Sequence, residues 1–494
     1  MVAHDLGTTG DKATLVAADG TVIASVTVTY PVDFGENGKA EQNPRDWWEA
    51  FCAANHQLIE KHQAPTGQIR AVSFSGQMMG AALVDDAGEP VRPAIIWADT
   101  RATTQCQHLI DTVGMEQVYA MTGHRANPTY SLSKIMWVRE NDPDAYARAK
   151  HVLNAKDVIL HRLTGRFVTD PSDASSTNTF DQRSGTWSPE LIEAAGVDAS
   201  LFGEIVESTT NLGTVRPEVA QEAGLPATVQ VITGGGDGPM GALGAGIVDR
   251  DSGAYTYLGS SSWVSFADSA PLHDPQMRSM TFNHVLPGQF VPTATMQTGG
   301  AALDWVVSVF DTDGAERFEN LLAGAAEVEA SAAGLYFLPH LLGERSPYWN
   351  PQARAVFAGL TITHDRRNLV RAVVEGVAFN LRTGLKAFAD SGHRFETIDA
   401  IGGAAKSPLV CQILADTWRL PVVASSVGDH ATSLGAAAIA ALGSDLITVA
   451  DVRDFVGKPS GADARPELPA EEMTRRYDLF MDAYQRLEGW FEKL

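Results

Sequence analysis

Short apolar runs and polar turns alternate at the start of the chain. Residues 2–4 and 13–17 are apolar and flank a glycine-rich polar segment, and residues 21–30 alternate between apolar and polar positions. This pattern predicts three short strands joined by tight turns. Residues 47–61 then carry apolar side chains at helical spacing, and residues 69–75 form another strand-like run. Strand and helix continue to alternate, which predicts an α/β fold.

The opening pattern returns near the middle of the chain. Residues 254–266 repeat the plan of residues 2–17, with LGSSS where LGTTG stood. A repeat at about half the chain length is too long for a solenoid and indicates two related α/β domains. We predict a first domain over residues 1–244 and a second over residues 245–494, with the cleft between them as the ligand site.

Composition restricts the expected partners. Acidic residues outnumber basic ones by 60 to 37, the net charge is -23, and no Lys/Arg run is present, so nucleic acid is not an expected partner. The three cysteines form no CxxC pair, which fits a reducing compartment. Neither a signal peptide nor an apolar run of about 18 residues is apparent. We therefore expect a cytoplasmic protein with no membrane partner.

Two hairpin turns carry groups suited to phosphate. The first, DLGTTGDK at residues 5–12, combines bare glycine backbone with hydroxyls and a lysine, and its strand-end carboxylate can hold a metal that bridges phosphates. A plain hairpin turn would explain the same residues. The hydroxyl-rich turn at residues 258–262 favours phosphate binding, because two such hairpins facing one another could clamp a polyphosphate. No Walker-type P-loop is present to do so instead.

A third segment, VITGGGDGPMGALGAG at residues 231–246, has seven glycines and one ionisable side chain, Asp237. A bare backbone admits a neutral polyol closely, and one carboxylate can accept the proton of an attacking hydroxyl, as phosphoryl transfer requires. The segment also contains the GxGxxG pattern of dinucleotide-binding folds, but Asp237 and Pro239 would oppose a pyrophosphate there. Asp237 could alternatively cap the following helix.

Ten segments, spread in order along the chain, belong together as a set. They are DLGTTGDK at 5–12, GQMMG at 76–80, RPAIIWADTRA at 92–102, SLSKIMWVREN at 131–141, TDPSDASSTNTFD at 169–181, GGGDG at 234–238, LGSSS at 258–262, FLPHLLGERSPYWNP at 337–351, AVFAGLTITHDRRNLVRAVVEG at 355–376 and IGGAAKS at 401–407. The set resembles the FGGY carbohydrate kinase family, and within it the xylulokinases, over nearly the whole chain. The resemblance implies two actin-like, ribonuclease H-like domains with a central cleft, the sugar bound mainly by the first and ATP mainly by the second.

The resemblance also implies roles for individual residues. Asp237 matches the family's general base, and Asp5 matches the carboxylate near Mg²⁺. The implied sugar-binding positions are Gln77, Met78, Met79 and Trp97, together with Asp237. The implied ATP-binding positions are Gly7, Thr8, Thr9, Lys12, Gly259, Ser260, Ser261, Gly300, Gly402, Gly403, Ala404 and Ser407.

The reaction that the resemblance implies is ATP- and Mg²⁺-dependent phosphorylation of a ketopentose, D-xylulose, to D-xylulose 5-phosphate, by an enzyme that we expect to form homodimers. Two positions depart from the xylulokinase pattern, because Met79 replaces a common histidine and Gly238 a common asparagine. Losing two polar groups weakens recognition of a hydroxyl-rich ligand. Kinases of another polyol or sugar acid, such as ribulose or gluconate, therefore remain alternatives, with Arg101 or Lys134 as the cation for an acid. A sugar-binding regulator without catalysis on the same scaffold is a further alternative.

Overall fold

The computed structural model describes residues 1–62, 66–310, 318–425, 427–457 and 463–494. These residues form two seven-stranded sheets with helices packed against them, together with several sheets of two or three strands. Within the described part of the chain, no helix combines the length and the apolar character that a membrane span requires. The predicted α/β class is confirmed.

The first half of the chain builds the first large sheet and its helices. Its strands are β1 (Val2–Leu6), β2 (Gly10–Val16), β3 (Val22–Thr29), β4 (Asp33–Phe34), β5 (Ala40–Gln42), β6 (Ala71–Gly76), β7 (Ala82–Val84), β8 (Ala94–Ile95), β9 (His151–Leu153), β10 (Val168–Thr169), β11 (Phe180–Asp181), β12 (Thr186–Trp187), β13 (Glu204–Ile205), β14 (Asn211–Thr214), β15 (Gln230–Ile232) and β16 (Gly235–Gly236). Its helices are α1 (Pro44–His62), α2 (Thr103–Val113), α3 (Met115–Thr122), α4 (Ser131–Asn141), α5 (Pro143–Arg148), α6 (Ala155–Thr164), α7 (Pro171–Ala174), α8 (Pro189–Ala195), α9 (Pro217–Ala223) and α10 (Asp237–Gly244).

The second half builds the other large sheet. Its strands are β17 (Ala254–Leu258), β18 (Ser262–Phe266), β19 (Met280–Asn283), β20 (Phe290–Met296), β21 (Tyr336–Leu338), β22 (Val356–Ala358), β23 (Ile398–Ile401), β24 (Val422–Ala424) and β25 (Asp463–Ala464). Its helices are α11 (Gly300–Phe310), α12 (Phe318–Ala326), α13 (Arg366–Asp390), α14 (Pro408–Trp418), α15 (Ala431–Gly443), α16 (Val452–Val456) and α17 (Ala470–Phe491).

The two large sheets share one plan. In the first, β1 pairs antiparallel with β2 and parallel with β6. In the second, β17 pairs antiparallel with β18 and parallel with β23. The strands β1 and β6 are buried along almost their whole length, as expected for central strands covered on both faces. The sequence repeat therefore marks two equivalent hairpins, each at the centre of its own sheet.

Helix α15 connects the two halves. Although it follows strands of the second sheet in the chain, it packs on α10 and on β1 and β6 of the first sheet. A Cβ atom on Gly435 would lie 2.1 Å from the carbonyl oxygen of Met240, and one on Gly244 would lie 1.8 Å from that of Ala431. Glycine is required at these two points, because any side chain would push α10 and α15 apart.

Candidate active site

A cavity of about 190 Å³ lies between the two halves of the molecule. Both halves contribute side chains to its wall, and aromatic and thioether groups predominate among them. The lining residues are Thr8, Met78, Met79, Trp97, Asp237, Gly238, Tyr255, Ser261, Trp263, Met280, Phe282, Thr293, Thr295 and Arg345. The cavity therefore offers a mostly apolar surface with one carboxylate and one guanidinium among these residues.

The carboxylate of the cavity belongs to Asp237, the first residue of α10. Its Oδ1 accepts the N–H of Gly238 at 2.8 Å, and the N-cap position of the helix is Gly236 rather than Asp237. Burial raises the pKa of the Asp237 carboxyl to about 7, and the nearby charge of Asp5 adds to this rise. A carboxyl with this pKa is suited to accept a proton from a hydroxyl group near neutral pH.

The glycines before Asp237 are explained by close packing around the loop. A Cβ atom on Gly236 would lie 2.6 Å from the sulfur of Met78, and one on Gly235 would lie 2.6 Å from Oγ of Ser172. Gly234 has a φ of +76°, and a Cβ there would lie 2.2 Å from the carbonyl oxygen of Phe74. The bare backbone thus lets the Asp237 loop pass close to β6 and to the cavity wall.

Asp5 lies near Asp237, at the end of β1. The Ser75 hydroxyl donates to its Oδ1 at 2.9 Å, and the Thr432 hydroxyl donates to its Oδ2 at 2.6 Å. Burial raises the pKa of the Asp5 carboxyl, although the hydrogen bonds from Thr432 and Ser75 lower it. Because Thr432 lies on α15, the second half of the chain reaches this acidic group directly.

The first predicted phosphate turn is only partly in contact with the cavity. Thr8 lines the cavity, and its Oγ1 accepts the indole N–H of Trp97 at 2.8 Å. The carbonyl oxygen of Gly7 accepts the Tyr30 hydroxyl at 2.5 Å and Nε2 of Gln77 at 3.4 Å. Gln77 is therefore buried, does not line the cavity and supports the turn.

Two other predicted residues of this hairpin lie further from the cavity. Thr9 is exposed at the tip of the turn, and Lys12 is half-buried on β2. The charge of Lys12 lowers the pKa of Asp5, so the ammonium group lies within electrostatic range of that carboxylate. The hairpin therefore combines a hydroxyl at the cavity, an exposed hydroxyl and a cation.

The predicted nucleotide segments meet at the turn between β17 and β18. Ser261 lines the cavity and Ser260 is exposed. The N–H of Gly300, at the start of α11, donates to the carbonyl oxygen of Gly259 at 2.6 Å. A Cβ atom on Gly402 would lie 2.6 Å from the carbonyl oxygen of Leu258. The turn, the start of α11 and the end of β23 are thus packed together.

The remaining nucleotide candidates follow Gly402. Gly403 and Ala404 lie in a single 3₁₀ turn, and a Cβ atom on Gly403 would point into open space. The Ser407 hydroxyl accepts the N–H of Val410 at 3.4 Å and caps α14. Open space beside Gly403 leaves room for a ligand, whereas Ser407 has a structural role in starting a helix.

Met79 has an unusual backbone conformation for a non-glycine residue, with a φ of +61°. Its carbonyl oxygen accepts Nζ of the buried Lys134 at 2.7 Å, and its N–H donates to the hydroxyl oxygen of Ser176 at 3.1 Å. The strained backbone is thus fixed from both sides, and the thioether is held in the cavity wall beside Met78.

Both cations considered for a sugar acid are engaged elsewhere. Nζ of Lys134 also donates to the carbonyl oxygen of Thr129 at 2.6 Å. Arg101 forms ion pairs with Glu41 at 2.6 Å and with Asp99 at 2.8 Å. These residues hold the protein together around the cavity instead of facing it.

Several cavity residues were missed by the sequence analysis. Arg345 is the guanidinium of the cavity, and its Nε is buried without a hydrogen-bond partner among the described residues. Arg345 lies in the quoted segment at residues 337–351. The sequence identified this segment but did not indicate that the Arg345 side chain points into the cavity. Met280 and Phe282 on β19 gave no local signal, because only the tertiary fold brings that strand to the site.

The comparisons with known proteins agree with this architecture. The models of the N-terminal and C-terminal domains of the FGGY family of carbohydrate kinases match residues 1–244 and 254–444. A xylulose kinase from Escherichia coli (strain K12) is 34% identical over 497 residues, covering 100% of this chain and 98% of that protein.

Two solved structures from Lactobacillus acidophilus have the same fold. A ligand-bound xylulose kinase has a TM-score of 0.93 and a gluconate kinase one of 0.92, each at 26% identity and covering 100% of this chain and 99% of the other. The sequence resemblance and the two-domain, actin-like fold are thereby confirmed. The chain belongs to the FGGY family of carbohydrate kinases and is a xylulokinase-like enzyme.

Proposed function

We propose that the enzyme transfers the γ-phosphate of ATP to D-xylulose and forms D-xylulose 5-phosphate, with Asp237 as general base. The observation that carries this proposal is the carboxyl of Asp237, which lines the cavity and has a pKa raised by burial to about 7. The similarity to several xylulose kinases supports the choice of sugar. The unpaired cysteines and the use of ATP support a cytoplasmic location.

In this mechanism, Asp237 accepts the proton of the terminal sugar hydroxyl as that oxygen attacks the phosphorus atom. Phosphoryl transfer needs little more from the protein than positioning and charge stabilisation. A carboxyl that titrates near pH 7 combines an ionised fraction with enough basicity to assist the attack. Met78, Met79 and Trp97 would pack against the carbon chain of the sugar and exclude water.

Two turns are suited to the phosphates of ATP. Thr8 and Ser261 come from equivalent hairpins of the two sheets, and both line the cavity. Their position supports the proposal that the γ-phosphate enters between them. The open space at Gly403 and the packed glycines 300 and 402 support placing the rest of the nucleotide against the second half.

The residues present also fit Mg²⁺. The described residues hold no cluster of three or more His, Cys, Asp or Glu side chains that could bind a metal unaided. Mg²⁺ does not need such a cluster, because one or two carboxylates suffice when phosphates and waters supply the other oxygens. Asp5 is the carboxylate that we assign to Mg²⁺, through water. When bound, the ion would supply positive charge to the transferring phosphoryl group.

A specific observation favours a sugar acid as a second candidate substrate. Arg345 presents a guanidinium to the cavity and forms no ion pair among the described residues. Burial lowers the pKa of the Arg345 guanidinium, and the nearby charge of Glu344 raises it. A carboxylate at the end of the substrate remote from the reacting hydroxyl would pair with this cation.

The experiment that tests the proposal is ADP release with MgATP and a panel of sugars, namely D-xylulose, L-xylulose, D- and L-ribulose, ribitol, xylitol, glycerol and D-gluconate. We expect selective turnover of D-xylulose and a loss of several decades in kcat for Asp237→Ala, with nucleotide binding retained. Preferred turnover of D-gluconate would replace the ketopentose by a sugar acid. Sugar binding without ADP release would indicate a regulator instead, and an active Asp237→Ala variant would overturn the proposed base.

A further inference from the structure

Behind the cavity lies a short segment rich in serine. Residues 170–179 connect β10 to β11, and Asp170 caps the single turn α7 by accepting the N–H of Ser172 at 3.0 Å. Within this stretch, Ser172, Ser175 and Ser176 are completely buried. We call Ser172–Ser176 the serine segment. Three buried hydroxyls in five residues need partners, and each partner either lines the cavity or is adjacent in sequence to a residue that does.

Each of the three hydroxyl oxygens accepts a backbone N–H from a different segment beside the cavity. Oγ of Ser172 accepts the N–H of Gly236 at 2.9 Å, directly before Asp237. Oγ of Ser176 accepts the N–H of Met79 at 3.1 Å, and Oγ of Ser175 accepts the N–H of Asn283 at 3.1 Å. The serine segment thus contacts the loop of the base, the sugar-facing Met79 and the strand β19 of the second half.

The same hydroxyls donate their protons away from the cavity. The Ser172 hydroxyl donates to Oδ2 of Asp170 at 2.5 Å, and the Ser175 hydroxyl donates to the carbonyl oxygen of Ser172 at 2.8 Å. The Ser176 hydroxyl donates to the carbonyl oxygen of Asp173 at 2.7 Å. Because each hydroxyl proton is engaged in one of these bonds, the lone pairs of each oxygen are oriented to accept the backbone N–H of Gly236, Asn283 or Met79.

A buried lysine anchors the segment from behind. Nζ of Lys156 lies 2.6 Å from Asp157, 3.0 Å from Asp170 and 3.0 Å from Asp173, and all four side chains are buried. Burial lowers the pKa of Lys156, but the three carboxylates outweigh this and raise it well above its usual value. Removing one partner of such a buried cluster would leave an uncompensated buried charge, so the lysine and the three carboxylates hold one another in place behind the segment.

We propose that the serine segment is a positioning element, which sets the spacing between Asp237, Met79 and strand β19 through its three hydroxyl oxygens. The inference rests on the proposed role of Asp237 and deepens it. Ser172 acts on the base through Gly236, and Ser176 acts on the sugar-binding wall through Met79. Ser175 connects the element to Asn283, one residue from the cavity-lining Phe282.

The test uses the full-length enzyme and two variants with different expected effects. Ser172→Ala removes the oxygen that orients the loop of the base, and we expect kcat to fall at least tenfold with the KM for the sugar changed less than threefold. Ser176→Ala removes the oxygen that holds the N–H of Met79, and we expect the KM for the sugar to rise at least fivefold with kcat changed less than threefold. The sugar is whichever one the unmodified enzyme phosphorylates.

The matched control is Ser208→Ala. The Ser208 hydroxyl donates to the same Oδ2 of Asp170 as Ser172 does, at 2.7 Å. Unlike Ser172, it makes no side-chain hydrogen bond to Gly236 among the described residues, and only its backbone carbonyl oxygen reaches the loop, where it accepts the N–H of Gly234 at 3.0 Å. We expect Ser208→Ala to lower the melting temperature about as much as Ser172→Ala while leaving kcat and KM within twofold. A parallel loss of activity and stability in all three variants would show a merely structural role and overturn the proposal.

Failure of the proposed reaction is recognised separately, because it appears in the unmodified enzyme. If that enzyme binds sugar but releases no ADP, calorimetry measures the dissociation constant instead of KM, and Ser176→Ala is still expected to weaken binding at least fivefold. Unchanged sugar binding in Ser176→Ala would overturn the positioning role. Should Ser172→Ala fail to fold, the Ser176→Ala result against Ser208→Ala decides alone.

Discussion

At the scale of single residues, the position of Asp237 raises the pKa of its carboxyl at the expense of stability. The residue begins α10 next to tightly packed glycines, and burial together with Asp5 disfavours its ionised form. An ionised carboxylate there is less stable in the folded protein than in the unfolded chain, where it ionises near pH 4. The ionised carboxylate therefore lowers the free energy of unfolding, and replacing it by a neutral side chain can restore this stability.

The first prediction concerns Asp237→Asn in buffer that contains a chelator. Because the pKa of Asp237 is raised on folding, the contribution of Asp237 to the free energy of unfolding falls as pH rises from about 4 to about 7. Above pH 7 this contribution stays low. We expect the variant to be more stable than the unmodified enzyme by about 1–3 kcal/mol at pH 8 and equally stable near pH 4. Urea denaturation at both pH values measures the difference, and a variant less stable at pH 8 would contradict the raised pKa.

The second prediction concerns Arg345→Met. The guanidinium faces the cavity without an ion pair among the described residues, so it is available to oxygen atoms of a ligand. We expect D-gluconate to inhibit the unmodified enzyme by competing with D-xylulose and this inhibition to disappear in the variant. We also expect kcat/KM for D-xylulose to fall about tenfold, equivalent to about 1.4 kcal/mol. Arg125→Met is the control, because that guanidinium stacks on Trp349 instead. Equal inhibition by D-gluconate in both variants would exclude Arg345 from the site.

At the scale of elements, the crossing of α10 and α15 couples the acidic groups of the site. Helix α10 begins with Asp237, and α15 carries Thr432, which donates to Asp5. The glycines 244 and 435 allow the two helices to approach closely. A change in the distance between the two helices therefore shifts the surroundings of both carboxylates, Asp237 and Asp5, although neither residue is itself substituted.

The third prediction follows from this crossing. In Gly435→Ala the added Cβ would lie 2.1 Å from the Met240 carbonyl oxygen, so the helices must separate. We expect a loss of about 1–3 kcal/mol in stability and a lower kcat. Gly489→Ala is the matched control, because it lies in α17 with open space at the Cβ position, and we expect a gain of up to about 1 kcal/mol there. Thermal unfolding and steady-state kinetics measure the two effects, and an unchanged kcat in Gly435→Ala would exclude the proposed coupling.

At the scale of the whole molecule, part of the apolar surface of residues 1–244 is covered by the second half of the chain. Helix α15 packs on β1 and β6 of the first sheet, and the apolar cluster between the halves includes Met78, Met240 and Leu243. These side chains would be exposed if the second half were removed. The two predicted domains are thus proposed to be sequence units that fold together.

The fourth prediction tests this proposal with the fragment 1–244. We expect it to bind a hydrophobic dye and to unfold without a sharp transition, because its face toward α15 is uncovered. Circular dichroism and dye fluorescence measure both properties, with the full-length chain as control. A fragment that unfolds cooperatively would establish residues 1–244 as an independent domain.

The parts of the molecule that local sequence determines were predictable. The strands at residues 2–17 and 254–266 follow from apolar patterning and turn residues, and Asp237 was conspicuous as a lone carboxylate among glycines. The direction of side chains was not predictable. Gln77 is buried outside the cavity lining and Arg345 belongs to that lining, because contacts between segments far apart in the chain orient both side chains. The cavity-lining residues of β19, Met280 and Phe282, are ordinary apolar residues without a chemical signature, so only the fold brings them to the cavity.

The three thioethers of the cavity have a consequence for oxidative damage. Oxidation to the sulfoxide turns a soft apolar side chain into a polar one. Met79 is the most exposed of Met78, Met79 and Met280, so peroxide should modify it first, and bound sugar should slow the reaction. Peptide mass spectrometry after peroxide treatment checks the order, and repair by methionine sulfoxide reductases would restore activity. A cavity wall built from methionine thereby predicts that oxidants lower the activity of the enzyme.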